Sequence, residues 1–303
     1  MKNNLPNFLI VGAAKSGTSS LHNYLNQHPN IFMPTYKKGV KVKEPRFFIK
    51  DVLEAERVPN MVTSINQYKS LFDDVSKEAC IGEASVLYLY FYKTAIKNIK
   101  KHLGDNVKII IMLRNPVFRA FSAYNHVART SQENLSFQEA LIKDELQRFR
   151  SEPTLTPLIM YKQMGMYYKM VKSYIDHFKD VHVIIYDDFI NDTQRVVKDT
   201  IDFLGLDNTF DINTSSKYNV GGKRWRSIYL KNLFMKDVFW KKPIRFIFPF
   251  FIRKFFIRVI RLIFMKKNQY LEENIKNDLI EFFIDDIKKL ENLLGVRLES
   301  WKK

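Results

Sequence analysis

The apolar and polar positions of this chain fall into two patterns: short buried runs that read as strands, and stripes at helical spacing. Phe8 to Val11 is an unbroken apolar run, followed by small residues from Gly12 to Gly17 and a helical stripe through Leu21, Tyr24 and Leu25. After the helix stop His28-Pro29-Asn30 comes a short strand, Ile31 to Met33, closed by Pro34. Residues 35–60 read as a basic loop, Ile65 to Phe72 as a short helix, and Ala79 to Glu83 as a second core strand. From Ser85 the spacing of Tyr88, Phe91, Ala95, Ile96 and Ile99 predicts a helix to about His102. Val107 to Leu113 is the strongest strand signal, and its length predicts a central parallel strand covered on both faces. A helix follows Arg114-Asn115-Pro116 through Ala120, Ala123 and Val127. Further helices are expected over 136–149 and 160–178, a strand over Val181 to Tyr186, and a helix from Asp192 to Leu204 that stops at Gly205.

Strands alternating with helices, without an internal repeat, predict the α/β class: a P-loop-like open parallel sheet flanked by helices. At 303 residues the chain is read as a single domain over 1–303. Sheets of this kind bind ligands beyond the carboxyl ends of their strands. Two candidate sites lie at such ends. The turn Gly12–Gly17 bares backbone N–H groups at a helix N-terminus, a cradle for phosphate. Its glycines keep Walker A spacing, but Thr18 and Ser19 stand where Lys-Ser/Thr would follow, and the one lysine of the loop is Lys15. An ordinary turn of small residues is the competing reading. At the end of the strongest strand, Arg114 can fork two N–H groups onto an anion, and Ser122, about two turns into the next helix, can add a hydroxyl. Alone, Arg114 also reads as a surface ion pair. A ligand that touches both places carries phosphate at two separated points.

Composition refines this picture. With 46% hydrophobic and 27% charged residues the chain is globular. The single cysteine, Cys80, excludes an internal disulfide framework and reads as a buried thiol in a reducing compartment. The first strand begins within about eight residues of Met1, and there is no run of about 18 uncharged apolar residues, so a cytoplasmic protein is expected. The net charge of +17 calls for an anionic partner. Lys236 to Lys267 carries ten basic residues against one acid and so contributes +9 of it. The total is therefore no nucleic-acid signature, and no nucleic-acid partner is expected. The histidines at 22, 28, 102, 126, 177 and 182 lack ligand spacing, so no metal site is expected.

The basic segment is a feature of its own, a basic apolar helical insert over 228–267. Wound as a helix after Pro249, the stretch 246–264 places Arg253, Lys254, Arg258 and Arg261 within an arc of about 140°. Its charges make it a poor membrane span. It suits an interfacial helix on anionic lipid, a partner-binding or acceptor-binding face, or a core helix with a solvated basic stripe.

Four stretches carry a family resemblance: Lys15 to Leu21, Lys43-Glu44-Pro45-Arg46-Phe47-Phe48, Gly82 to Ser85, and Leu113 to Tyr124. They resemble the sulfotransferases that use 3′-phosphoadenosine 5′-phosphosulfate (PAPS), in the branch of the heparan-sulfate sulfotransferases and their bacterial relatives. Tyr186 to Phe189, Phe203 to Leu206 and Leu290 to Trp301 resemble bacterial members, and the likeness fails only over about 225–268. The resemblance implies a 5′-phosphosulfate site at Lys15, Ser16, Gly17, Thr18, Ser19 and Ser20, and a 3′-phosphate site at Arg114 and Ser122. It also implies a closing loop, Asn219 to Arg224, with Lys223 and Arg224 as donors. Adenosine 3′,5′-bisphosphate would be the product, Glu44 the base, and Lys15 the group that neutralises the leaving oxygen. Lys43, Arg46 and Glu83 would make up the acceptor side, Glu83 as a structural or acceptor-orienting residue, with the acceptor a hydroxyl or amine on a glycan or lipid-linked saccharide.

Departures are Val86, where relatives often have proline, and Arg46, where many have histidine. Lys43 and Arg46 would depress the Glu44 pKa while Phe47 and Phe48 would raise it by burial, and the sequence leaves the balance open. His126 is a reserve base read as a packing residue. Competing functions are a P-loop-like nucleotide kinase, opposed by the displaced lysine and the Arg114/Ser122 pair, and a membrane-surface scaffold with a vestigial nucleotide fold. Peripheral attachment to the inner face of a membrane goes with the basic insert.

Overall fold

A computed structural model describes residues 4–37, 40–130, 133–215, 223–225, 265–267 and 270–303. Five parallel strands form the sheet in the order β2-β5-β1-β6-β7: β1 (Phe8–Gly12), β2 (Ile31–Phe32), β5 (Cys80–Ala84), β6 (Lys108–Leu113) and β7 (Val181–Ile185). Alternate side chains of β1 and β6 enter two separate apolar clusters. Leu9, Val11, Ile109 and Ile111 face one; Phe8, Ile10, Ile110 and Met112 face the other. This double burial is the reason both strands are apolar throughout. The chain leaves β1 toward β2 on one side and leaves β6 toward β7 on the other. The crevice beyond the carboxyl ends of β1 and β6 is therefore the topological switch point.

Helices α1 (Thr18–Leu25), α2 (Ile65–Ser70), α3 (Tyr92–Leu103), α4 (Pro116–Thr130), α7 (Tyr167–His177), α9 (Thr193–Leu204) and the long α10 (Glu273–Leu294) surround the sheet. A two-residue hairpin, β3 (Tyr36–Lys37) and β4 (Val40–Lys41), lies in the basic loop, and α8 (Tyr186–Asn191) follows β7 directly. Among the described residues no helix is long and apolar enough to cross a membrane.

Several boundaries differ from those the pattern predicts. The helix expected over 160–178 is a short 3-10 turn, Gln163–Gly165, followed by α7 from Tyr167. Helix α3 starts at Tyr92 instead of Ser85, because the Ser85 and Leu89 amides donate to the Ile10 and Val11 carbonyls and carry the segment across the end of β1. The approach is close: a Cβ on Gly12 would lie 2.4 Å from the Leu89 side chain. The helix expected over 136–149 is two, α5 (Phe137–Ile142) and α6 (Glu145–Ser151), because the Asp144 carboxylate caps the Gln147 amide at 2.8 Å and begins a new helix. The end of the basic insert, Met265–Lys267, is a strand, β9, antiparallel to β8 (Lys223–Trp225). The rest of that insert, including 246–264, lies outside the described residues, and so do Asn219 to Gly222 and the side chains of Lys223 and Arg224.

Candidate active site

The turn after β1 carries two residues in the left-handed region. Gly17 caps α1 in the left-handed region at φ 89°, and a Cβ there would lie 2.9 Å from the Tyr186 ring. Glycine is therefore required on two counts. Lys15 also adopts positive φ, 71°. Among the described residues, the backbone N–H groups of Lys15, Gly17, Thr18 and Ser19 have no hydrogen-bond acceptor. The Ser16 hydroxyl is fully buried beside Tyr167 yet makes no hydrogen bond of ordinary geometry. A buried orphan hydroxyl and a row of free amides fit a phosphate group.

Arg114, at the end of β6, reaches this turn: one Nη donates to the Lys15 carbonyl at 3.3 Å while the guanidinium lies 4.8 Å over the Tyr186 ring. The Arg114 carbonyl accepts from the Tyr167 hydroxyl at 2.9 Å. Ser122 is half-buried on the second turn of α4, and β8 runs alongside that helix, which brings the Lys223–Trp225 backbone to it. Ser20, also assigned to the cradle, lies in the first turn of α1 and donates its amide to the Gly17 carbonyl at 2.9 Å.

Lys43 is buried, donates to the Ser19 hydroxyl at 3.1 Å and lies 3.5 Å from the Glu44 carboxylate. It thus belongs to the phosphate turn as much as to an acceptor face. Arg46 grips Glu44 at 2.8 Å and the Pro59 carbonyl at 2.9 Å, so its guanidinium is turned back on its own loop. Burial pushes the Glu44 carboxyl up, but Lys43 and Arg46 outweigh it and hold it below the ordinary carboxylate value. That resolves the balance the sequence leaves open. Glu83, read from the sequence as a structural or acceptor-orienting residue, is fully buried against the Tyr68 and Tyr88 hydroxyls and presents no surface to an acceptor.

Burial brings the Lys15 ammonium down to about 8, with Arg129 and then Arg114 adding to the effect and Glu44 opposing it. Arg129 is a site residue the sequence reading missed. The Arg129 guanidinium donates to His126 Nδ1 at 3.0 Å. Burial, with Lys15 and Arg129, lowers the His126 pKa to about 4, so the ring is neutral and a weak base. His126 therefore lies within electrostatic reach of Lys15 and Glu44, where the sequence named it as a reserve base but favoured packing. The available signal was the spacing of Ser122, His126 and Arg129 at i, i+4 and i+7, one stripe of α4.

An open parallel sheet with a row of free amides and a strand-end arginine at its switch point defines an α/β protein with a crevice that fits phosphate. The sulfotransferase-domain family matches residues 5–220, and the chain belongs to that family. A crystal structure of a sulfotransferase from Alicyclobacillus acidocaldarius superposes with a TM-score of 0.74 at 32% identity, covering 99% of each chain. The membrane-associated sulfotransferase kil1 of Dictyostelium discoideum is 32% identical over 132 residues, 44% of this chain and 25% of that protein. The human bifunctional heparan sulfate N-deacetylase/N-sulfotransferase 2 is 30% identical over 122 residues, 40% of this chain and 13% of that protein. The matched stretch thus spans a quarter or less of these two relatives.

Proposed function

We propose that the chain transfers a sulfuryl group from PAPS to a hydroxyl or amine of a glycan or lipid-linked saccharide. The observation that carries this reading is the grouping of Lys15, Lys43 and Glu44 at the switch point: a leaving-group cation within electrostatic reach of an ionised carboxylate that Lys43 ties to Ser19. The orphan Ser16 hydroxyl and the free amides of the turn suit the 5′ end of the cofactor, and Arg114 with Ser122 the 3′-phosphate. PAPS, when bound, supplies an activated sulfuryl group.

The Glu44 carboxylate, kept ionised by Lys43 and Arg46, accepts the acceptor's proton as the new S–O or S–N bond forms. Lys15 neutralises the 5′-phosphate oxygen whose bond to sulfur breaks, and adenosine 3′,5′-bisphosphate leaves. The glycan class is supported by relatives named for heparan sulfate and by a carbohydrate sulfotransferase 15 that is 26% identical. Attachment to an anionic membrane surface through 246–264 is supported by the charge of that stretch and by a relative named as membrane-associated.

Titration calorimetry of adenosine 3′,5′-bisphosphate with and without magnesium, on wild type and Arg114→Ala, tests the cofactor. Metal-independent binding in the micromolar range, lost in the variant, is expected; binding of ATP in its place would overturn the reading. Transfer of label from PAPS to desulfated glycans tests the acceptor class. Flotation with anionic vesicles tests the membrane, and protein that stays in the dense fraction would count against it.

A further inference from the structure

Glu83 lies at the end of β5, beside Leu9 of β1, on the face that packs into the aromatic cluster of Phe47, Phe48, Tyr68 and Tyr88. A carboxyl group with no exposed surface in such a place is costly, and an apolar residue of similar volume is often neutral or stabilising there. Its surroundings are specific. Oε2 accepts from the Tyr68 hydroxyl at 2.8 Å and from the Tyr88 hydroxyl at 3.2 Å. Oε1 has no bond of ordinary geometry, with the Ser85 hydroxyl the nearby group that favours the charged form.

The same three side chains hold the segment that follows Glu44. The Arg46 amide donates to Ser85 Oγ at 2.9 Å and the Phe48 amide to the Tyr88 hydroxyl oxygen at 3.3 Å. Between them, Phe47 stacks on the Tyr68 ring at 4.7 Å. Arg46 sits in the left-handed region at φ 54°, a backbone conformation that needs such external support. A hydroxyl that accepts from an amide must send its own proton elsewhere, and for Tyr88 that destination is Glu83.

We propose that Glu83 is a positioning residue: it orients the Tyr68, Ser85 and Tyr88 hydroxyls so that the Arg46–Phe48 backbone, and with it Glu44, is held against the phosphate turn. Burial raises the Glu83 carboxyl to about 7, with Ser85, Tyr68 and Tyr88 opposing and the Glu44 charge adding. Tyr174 of α7 closes the cluster by donating to the Tyr88 carbonyl at 2.9 Å. The arrangement accommodates both forms, because the hydroxyls around the carboxyl group can donate to it when it is ionised and the Ser85 hydroxyl can accept from it when it is protonated. The consequence for rate rests on the reading of Glu44 as base; the held loop does not.

Amide hydrogen exchange of the full chain, resolved by residue, is the test, run beside bisphosphate titration and thermal melts. Ser85→Ala is expected to deprotect the Arg46 amide alone and Tyr88→Phe the Phe48 amide alone. Glu83→Leu is expected to deprotect both by about tenfold or more, while bisphosphate affinity and the exchange of β6 amides stay within about threefold. Glu83→Gln, which keeps an acceptor on one atom and a donor on the other, should restore both. Unchanged protection at Arg46 and Phe48 in Glu83→Leu overturns the proposal. So does a uniform loss across the sheet with a lowered Tm, which is what a merely structural carboxyl would give. Should Glu83→Leu fail to fold, Glu83→Asp withdraws the carboxyl by one methylene, and full protection at both amides there would overturn the proposal equally. Failure of the wild type to bind bisphosphate would count against the function and leave this result standing.

Discussion

Lys43 donates to Ser19 at 3.1 Å while standing 3.5 Å from Glu44, and so ties the loop that carries the acid to the helix that receives the phosphate. The two parts of the site lie more than 20 residues apart in sequence and come from opposite sides of β1. One buried ammonium joins them. Replacing it with an uncharged side chain of similar length, Lys43→Met, removes a cation from Glu44 and leaves Arg46. The Glu44 pKa, now held low, should rise toward the ordinary carboxylate value, because burial is then less opposed. A carboxylate base works above its pKa, so the acidic limb of the rate profile should move to higher pH. Side-chain carboxyl NMR of labelled Glu44 checks the shift directly, and an unmoved titration would put Lys43 outside the site's electrostatics.

Gly17 and Tyr186 make a second linked pair. Gly17→Ala puts a side chain at φ 89° and 2.9 Å from the ring that supports Arg114. The substitution should cost about 1–2 kcal/mol of stability by backbone strain. It should also weaken bisphosphate binding more than tenfold, because Tyr186 must move and Arg114 with it. Tyr186→Leu, which frees the space but removes the cation–π support, should leave that backbone strain in place in the double variant, relieve only the clash with the ring, and not recover affinity. Thermal melts and titration calorimetry on the single and double variants decide it.

The fold was legible where local pattern and burial agree. The runs at Phe8 and Val107 are apolar because both sheet faces are covered, and a run covered on both sides leaves little else to be. The placement of Lys15, Ser16 and Gly17 in a turn after β1, and of Arg114 at the end of β6, was legible because turn chemistry is local. The start of α3 was not, since the amides of Ser85 and Leu89 are taken by β1, a contact made across more than 70 residues. The burial of Glu83 was not legible for the same reason: a carboxylate at a strand end reads as structural or as acceptor-orienting alike until Tyr68 and Tyr88 are seen to close over it. Arg129 went unread because its role depends on where α4 passes, and helical spacing alone does not say which stripe faces the ligand.

Lys15 gives a prediction with a definite sign. Its pKa falls from 10.5 to about 8 on folding, so between those values the unfolded chain binds more protons than the folded one. Stability from this group therefore rises with pH across that window, and below about 8 the full penalty is present. Lys15→Met should be more stable than wild type at pH 7, by on the order of 3 kcal/mol at most, with the advantage shrinking as pH approaches 10. Activity should be lost at every pH. Denaturant melts of both proteins from pH 6.5 to 10 measure the difference, and a constant gap would show that the ammonium is not penalised by the fold.

After burial, Arg129 has the largest influence on where that window falls. Its charge is the largest cationic influence on Lys15, ahead of Arg114, and it also holds the His126 ring by a 3.0 Å hydrogen bond. Arg129→Gln should therefore raise the Lys15 pKa above about 8 and let His126 rise from about 4. Anion binding prefers the charged lysine, so wild-type affinity for adenosine 3′,5′-bisphosphate should weaken as pH climbs through about 8, with proton uptake on binding. In Arg129→Gln that weakening should begin at higher pH, even if affinity at pH 7 is lower for want of a cation. Lys15→Met should show no weakening in this range. Titration calorimetry from pH 7 to 9.5, in buffers of different ionisation enthalpy, reads both the affinity and the protons. A midpoint that stays near 8 in Arg129→Gln would mean that Arg114 and burial set the Lys15 charge, and that the α4 stripe acts on something other than the leaving group.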